Sequence, residues 1–171
     1  TRVADLVAQG IVPAAGAAEL ETVTETFRLR ITPEMQTALH SAGVARQFLP
    51  RAEELTLRPE ELADPIGDTA FSPAPGLTHR YPDRVILAVT QTCEVYCRFC
   101  FRRETVGPGG ASTLSADALA RAMDYIGGQS QIWEVILTGG DPLVMAPRRL
   151  AEVMEALGAI TVLAVDKTGT L

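Results

Sequence analysis

The sequence predicts an α/β fold built on a parallel sheet and entered through a helical region, and three observations predict it. Residues 85–89 (Val-Ile-Leu-Ala-Val) form a short, continuous, branched apolar run of the kind buried on both faces in a parallel sheet. Residues 135–137 (Val-Ile-Leu) and 161–165 (Thr-Val-Leu-Ala-Val) repeat the signal with helix-period stretches between them, so the second half reads β-α-β-α-β. The first half has no such run and ends in a connector rich in Pro and Gly, which sets a boundary between a lead-in and connector at 1–82 and the α/β region at 83–171. Units of this order take right-handed crossovers and belong to a doubly wound sheet or to a (β/α) barrel.

Each element has a local reason. Residues 2–9 pattern as a short amphipathic helix with Val3, Leu6 and Val7 on one side, before Gly10 and Pro13 interrupt it. Residues 17–27 continue helically, although Thr22, Thr24 and Thr26 restrict the helix rotamers. Thr32-Pro33-Glu34 is a start signal: Thr32 caps, Pro33 loses nothing at the first turn, and Met35 and Leu39 supply the apolar side, with Gly43 expected as the stop. Residues 45–63 read as a further helical stretch broken by Pro50 and Pro59, with Glu53 and Glu54 on a solvated face. From 64 to 82 periodicity disappears. Ser115, or nearby Ser112 and Thr113, caps a helix over 115–126 that turns Leu119, Met123 and Ile126 inward and stops at Gly127-Gly128. Residues 147–157 form the next helix.

Composition narrows the function. The 171 residues are enough for one domain with a real core, made mainly of Ala, Leu, Val and Ile because aromatics are only 5%. Fifteen basic against 21 acidic residues, a net charge of -6, oppose general attraction to a phosphate backbone, so nucleic acid is not an expected partner. No apolar stretch approaches the ~20 residues that cross a bilayer, and no basic leader precedes one, which points to no membrane and to the cytoplasm.

All three cysteines lie in Cys93-Glu94-Val95-Tyr96-Cys97-Arg98-Phe99-Cys100, directly after the first strand. An odd number within eight residues is a metal-site spacing rather than a disulfide framework, and Glu94, Arg98, Arg102 and Arg103 make the segment too polar to bury unassisted. Three thiolates bind three irons of a [4Fe-4S] cube and leave the fourth iron open. Zinc is the alternative; neither His40 nor His79 lies in the cysteine loop to complete its shell. The second strand is followed by Thr138-Gly139-Gly140-Asp141-Pro142, on the same sheet edge, where ligands gather in parallel α/β folds. Gly139 and Gly140 permit a tight turn and close backbone approach, and Asp141 offers a carboxylate to an ammonium group. The same string also serves as an ordinary strand-to-helix turn.

The spacing Cys93-x3-Cys97-x2-Cys100 resembles the signature of the radical S-adenosylmethionine superfamily. The longer string CEVYCRFCFRRETVG, with HRYPDRV before it, EVILTGGDPLV after it, and ITPEM, RQFLP and ADPIGD in the lead-in, is similar to the lysine 2,3-aminomutase family over residues 1 to about 160. The resemblance implies a partial radical-SAM (β/α) barrel in which Cys93, Cys97 and Cys100 carry a [4Fe-4S] cluster. S-adenosyl-L-methionine would chelate the open iron, with Gly139, Gly140 and Asp141 receiving its methionine end, and would yield a 5'-deoxyadenosyl radical on reduction. Phe99 would take the aromatic position beside the third ligand. The resemblance further implies pyridoxal 5'-phosphate, Arg80 and Arg84 on its phosphate side, and Arg102 on the substrate carboxylate. Arg80 and Arg84 also read as surface charges before a strand, and Arg103 as a loop charge paired with Glu104. The implied partners are a free amino acid substrate and an electron-donor protein, with a homo-oligomer as the assembly.

Three strands cannot close a barrel, and the chain begins at Thr1 and stops at Leu171 beside a strand-like run, so a truncated family member is expected. The family's later imine-forming lysine is not recognisable: Lys167 is the only lysine and sits in Asp166-Lys167-Thr168-Gly169-Thr170-Leu171. That tail resembles the phosphorylation motif of P-type cation-pumping ATPases, with Asp166 as nominal nucleophile, over those few residues only. Two other readings remain: a radical enzyme acting on another amino acid or on a protein lysine, and a metal-binding or interaction remnant without catalysis.

Overall fold

The computed structural model describes residues 1–107 and 113–158, and the backbone of the strand at 162–165. Asp166, Lys167 and the rest of the tail lie outside the described residues. By contacts the chain divides into two compact units, and the division is not a single cut at 82/83. One comprises Thr1–Pro65 with the described part of Glu94–Pro108; the other comprises Ile66–Cys93 with the described part of Gly109–Leu171.

The helical unit contains α1 (Val3–Ala8), α2 (Ala17–Thr26), α3 (Pro33–Ala38) and α4 (Ala42–Phe48), followed by a 3-10 turn at Ala52–Leu55. Val3, Leu6, Val12, Leu29, Ile31 and Leu39 form its buried cluster, with Met35, Val44 and Phe48 packed against it. Thr32 caps α3 as the sequence predicts, its hydroxyl accepting from the Met35 N–H at 3.2 Å. Gly43 does not close that helix. α3 already ends at Ala38, the buried Leu39 turns the chain, and Gly43 lies inside α4, which brings Val44 and Phe48 onto the cluster. The long helical stretch expected over 45–63 is also shorter: α4 stops before Pro50, and beyond the 3-10 turn Leu57 and Leu62 are exposed, with no apolar face to bury.

The sheet unit carries β1 (Leu77–Tyr81), β2 (Arg84–Thr90), α5 (Ala116–Gly127), β3 (Glu134–Gly139), α6 (Pro147–Ala156) and β4 (Val162–Val165). Strand order is β1-β2-β3-β4. The β2-β3 and β3-β4 pairs are parallel, the partial β/α alternation expected, and the sheet is open. β1 is an addition: residues read as connector pair antiparallel with β2, Leu77 opposite Leu87. Only Leu77 of this strand is buried, so Thr78, His79 and Arg80 gave no apolar signal, and the pairing with β2 makes the strand.

Within β2 burial alternates. Val85, Leu87 and Val89 are buried with Val135 and Leu137 of β3 beneath Ala122 and Ile126 of α5 and Val153 of α6, whereas Ile86 and Ala88 are half-buried, so the run is not buried on both faces as expected: among the described residues the helices pack on one of them. Covering one face with helices is what a sheet segment from a (β/α) barrel does. Ser115 caps α5 by accepting the Ala118 N–H at 3.2 Å. Ser115→Ala is expected to cost about 1 kcal/mol, seen as a lower urea midpoint with an unchanged m-value; an unchanged midpoint would remove the cap from the account. Among the described residues, no helix is long and apolar enough to cross a membrane.

Candidate cofactor site

The ends of β2 and β3 are bound to each other through their backbones. Thr90 pairs with Gly139, the Gly140 N–H donates to the Thr90 carbonyl at 2.6 Å, and the Asp141 N–H donates to the Thr92 carbonyl at 2.8 Å. The cysteine that follows Thr92 and the Gly-Gly-Asp turn therefore leave neighbouring strands at the same edge. Gly139 has φ +105°, a left-handed value that favours glycine, and a Cβ there would overlap the Thr90 carbonyl oxygen. A Cβ on Gly140 would fall 2.6 Å from the Thr92 carbonyl carbon and 2.7 Å from its nitrogen. Both glycines are thus demanded by the closeness of the two strand ends. Asp141 is buried and its carboxylate accepts the Leu143 N–H at 3.0 Å, capping the 3-10 turn Pro142–Val144. Thr90 and Thr92, which hold this turn, were not singled out from the sequence; as ordinary β-formers before the cysteine they carried no signal.

Cys93 belongs to the sheet unit, and Cys97 and Cys100 to the helical unit. All three are thiols outside any disulfide and of intermediate burial. The Cys100 N–H donates to the Cys97 carbonyl at 3.3 Å. Burial pushes the Cys97 thiol up from its ordinary value, and the nearby Cys100 adds to the shift, so without a metal this group is held protonated at neutral pH. Among the described residues no three His, Cys, Asp or Glu side chains are gathered into a ready metal site. The donor set itself, three sulfurs from eight residues with none spent on a disulfide, fits an iron-sulfur cluster by its chemistry.

The residues between the cysteines are tightly held. Arg98 is buried, its side chain 7% exposed, and donates to both carboxylate oxygens of Glu54, the closest at 2.6 Å. It donates as well to the carbonyl of Arg28 at 3.0 Å, while its own N–H donates to the Gln47 carbonyl at 2.7 Å. The Tyr96 N–H donates to the Arg30 carbonyl at 3.1 Å, and Arg30 pairs with Glu94 at 2.9 Å. This corrects the expectation for Glu54: it is not on a solvated face, because its charge is needed to neutralise Arg98 inside the unit. Phe99 is 67% exposed and, with Cys100, Arg103 and Glu104, borders an open cavity of about 390 Å³ whose other wall is Glu60 to Ala63.

The remaining predicted residues have protein partners. Arg80 donates to the Ile66 carbonyl and to Asp68 and lies 4.7 Å over the Phe71 ring. Arg84 pairs with Asp83 at 3.1 Å and Glu134 at 3.5 Å and lies over Trp133. The Arg84 hydrogen bonds, with a further one from the Trp133 indole, outweigh desolvation and hold the Asp83 carboxyl below its usual range. Arg102 lies 4.4 Å over the Phe101 ring. Arg103 sits 3.8 Å from Glu104, as expected, and also 3.7 Å from Glu61 and over Phe27.

Comparison with known proteins agrees with this architecture. The Radical SAM superfamily matches residues 87–165. L-lysine 2,3-aminomutase of Fusobacterium nucleatum is 34% identical over 150 residues, 85% of this chain and 35% of the relative. The enzyme of the same name from Bacillus subtilis is 36% identical over 151 residues, covering 86% and 32%. Glutamate 2,3-aminomutase of Clostridioides difficile is 35% identical over 145 residues, covering 82% and 34%. The chain belongs to the radical SAM superfamily and, within it, to the lysine 2,3-aminomutase family. It spans about a third of the length of these relatives.

Proposed function

We propose that this chain supplies the radical-initiating part of an aminomutase, an isomerase that moves an amino group between adjacent carbons of a free amino acid. The observation that carries the reading is the pairing of the β2 and β3 ends, which sets Thr92-Cys93 beside Gly139-Gly140-Asp141 in a chain of this family. In the proposal Cys93, Cys97 and Cys100 hold a [4Fe-4S] cluster, and Gly139, Gly140 and Asp141 take the methionine end of S-adenosyl-L-methionine. Once loaded, this pair supplies one-electron cleavage of a sulfonium. The protein's own work is to fix the loop that carries two of the sulfurs and to keep the strand-end turn rigid. Asp141, already capping with one oxygen, has its other oxygen to offer an ammonium group.

Arg102 is proposed to receive the substrate carboxylate, for which a guanidinium offers a bidentate contact. Pyridoxal 5'-phosphate is proposed from kinship alone. Arg80 and Arg84 would meet its phosphate by exchanging Asp68, Asp83 and Glu134 for it. An electron-donor protein, a homo-oligomer and a reducing compartment, the cytoplasm, complete the reading. Relatives named for lysine and for glutamate leave the substrate side chain open.

The test is anaerobic reconstitution with iron and sulfide. About four irons per chain and a paramagnetic reduced cluster are expected, followed by reductive cleavage of S-adenosylmethionine to methionine and 5'-deoxyadenosine. Replacing Cys93, Cys97 and Cys100 together by Ser is expected to remove all bound iron. A wild-type protein that takes zinc instead, or binds a cluster and leaves S-adenosylmethionine intact, would sink the catalytic reading in favour of a metal-binding one.

A further inference from the structure

We infer that Glu54 is a positioning residue for the cysteine loop: through Arg98 it holds the backbone between Cys97 and Cys100 in the conformation that presents those two sulfurs to a cluster. The inference rests on the proposed function for the cluster and on the helical unit alone for the geometry. Arg98 stands directly after Cys97 and two residues before Cys100. Its Nε lies 3.1 and 3.2 Å from the two Glu54 oxygens and its Nη2 2.6 Å from one of them, a forked contact that fixes the guanidinium plane as well as its position. Side-chain exposures of 7% and 13% place the pair out of bulk water, where one charge without the other is strongly disfavoured.

The pair has a directional purpose that burial by itself does not explain. Arg98 Nη1 continues to the Arg28 carbonyl, the Arg98 N–H is taken by Gln47 at the end of α4, and Tyr96 two residues earlier is taken by Arg30. Residues 94, 96 and 98 are therefore tied to the lead-in, and Cys97 is bracketed by two of the ties. Among the described residues Glu54 is the carboxylate that pairs with Arg98 in the innermost tie. A loop that must gather three sulfurs onto one inorganic centre loses less entropy when part of it is already fixed. The sheet-unit cysteine, Cys93, lies outside this clamp.

The experiment uses the 171-residue chain with Glu54→Ala, Glu54→Gln and, as a control that breaks an exposed pair in the same unit, Arg2→Ala. In the metal-free proteins the alkylation rate of each cysteine is followed by peptide mass spectrometry under native conditions, with circular dichroism to confirm folding. In the reconstituted proteins iron content and the line shape of the reduced-cluster paramagnetic signal are measured. Glu54→Ala is expected to raise alkylation of Cys97 and Cys100 about tenfold, an opening cost comparable to losing a charge-assisted hydrogen bond, with Cys93 changed less. It is also expected to lower iron content and broaden the signal. Glu54→Gln, which keeps one acceptor for the guanidinium, is expected to restore much of the wild-type behaviour, and Arg2→Ala to match wild type. If Glu54→Ala does not fold, the partial loss in Glu54→Gln is the reading. Unchanged Cys97 and Cys100 alkylation in the folded Glu54 variants overturns the positioning role whatever their iron content. A wild-type chain that takes no cluster while the alkylation difference persists overturns the proposed function and upholds the clamp.

Discussion

Gly140→Ala is expected to remove a large share of the stability of the sheet unit. The added Cβ would meet the carbonyl carbon of Thr92 at 2.6 Å and its nitrogen at 2.7 Å. These are backbone atoms at the end of a hydrogen-bonded strand, so relief requires parting β2 from β3, where Gly140 and Asp141 donate to Thr90 and Thr92. Overpacking costs about 1–3 kcal/mol in general, and the upper end applies where only backbone can give way, a large share of a typical total of about 5–15 kcal/mol. Soluble yield and urea midpoint are the measurements, with Gly128→Ala beside it. Gly128 has helical geometry, and its Cβ would meet the carbonyl oxygens of Asp124 and Tyr125 at an ordinary 3.5 Å. Equal midpoints for the two variants would contradict the close approach. A Gly140 variant that fails to bind S-adenosylmethionine reports on the sheet, whereas Asp141→Asn keeps an oxygen for capping Leu143 and tests the carboxylate charge.

Arg98→Ala is the second large effect expected. It leaves the Glu54 carboxylate, 13% exposed, without its cation, and removes the donor to the Arg28 carbonyl. Breaking one side of a buried pair costs about 3–5 kcal/mol, while replacing both sides with apolar groups of similar volume is often near neutral. Glu54→Leu with Arg98→Met is therefore expected to regain most of the stability lost by Arg98→Ala, as read from urea midpoints of the metal-free proteins. If the double variant is no more stable than the single one, the pair contributes net attraction beyond its desolvation cost. Stability and cysteine presentation are separable in this comparison, because the apolar pair restores packing without restoring the forked contact.

Much of the fold is written locally. Thr32 before Pro33 and Ser115 before Ala116 are caps by composition, and both accept the N–H three residues on. Branched apolar runs mark β2 and β3 because a strand between sheet neighbours, packed under helices, has few polar choices, and the run at 162–165 marks β4. β1 was not legible: Thr78, His79 and Arg80 carry no period, and their strand exists through pairing with β2. Gly43 was misread for a related reason. A glycine after an apolar run is a stop by propensity, yet the burial of Leu39 turns the chain earlier and starts a new helix around it.

The candidate site divides the same way. Three cysteines at ligand spacing, a Gly-Gly-Asp after a strand, and the resemblance these carry are properties of the order of residues, and they determined the family without any coordinates. The partners of charges are a tertiary matter, since a carboxylate and a guanidinium 44 residues apart have no shared local pattern. Only the folded chain turned Glu54 from a solvent-facing acid into the counter-ion of Arg98. It also decided why two glycines stand before Asp141: the Thr90 and Thr92 backbones occupy the space that any side chain there would need.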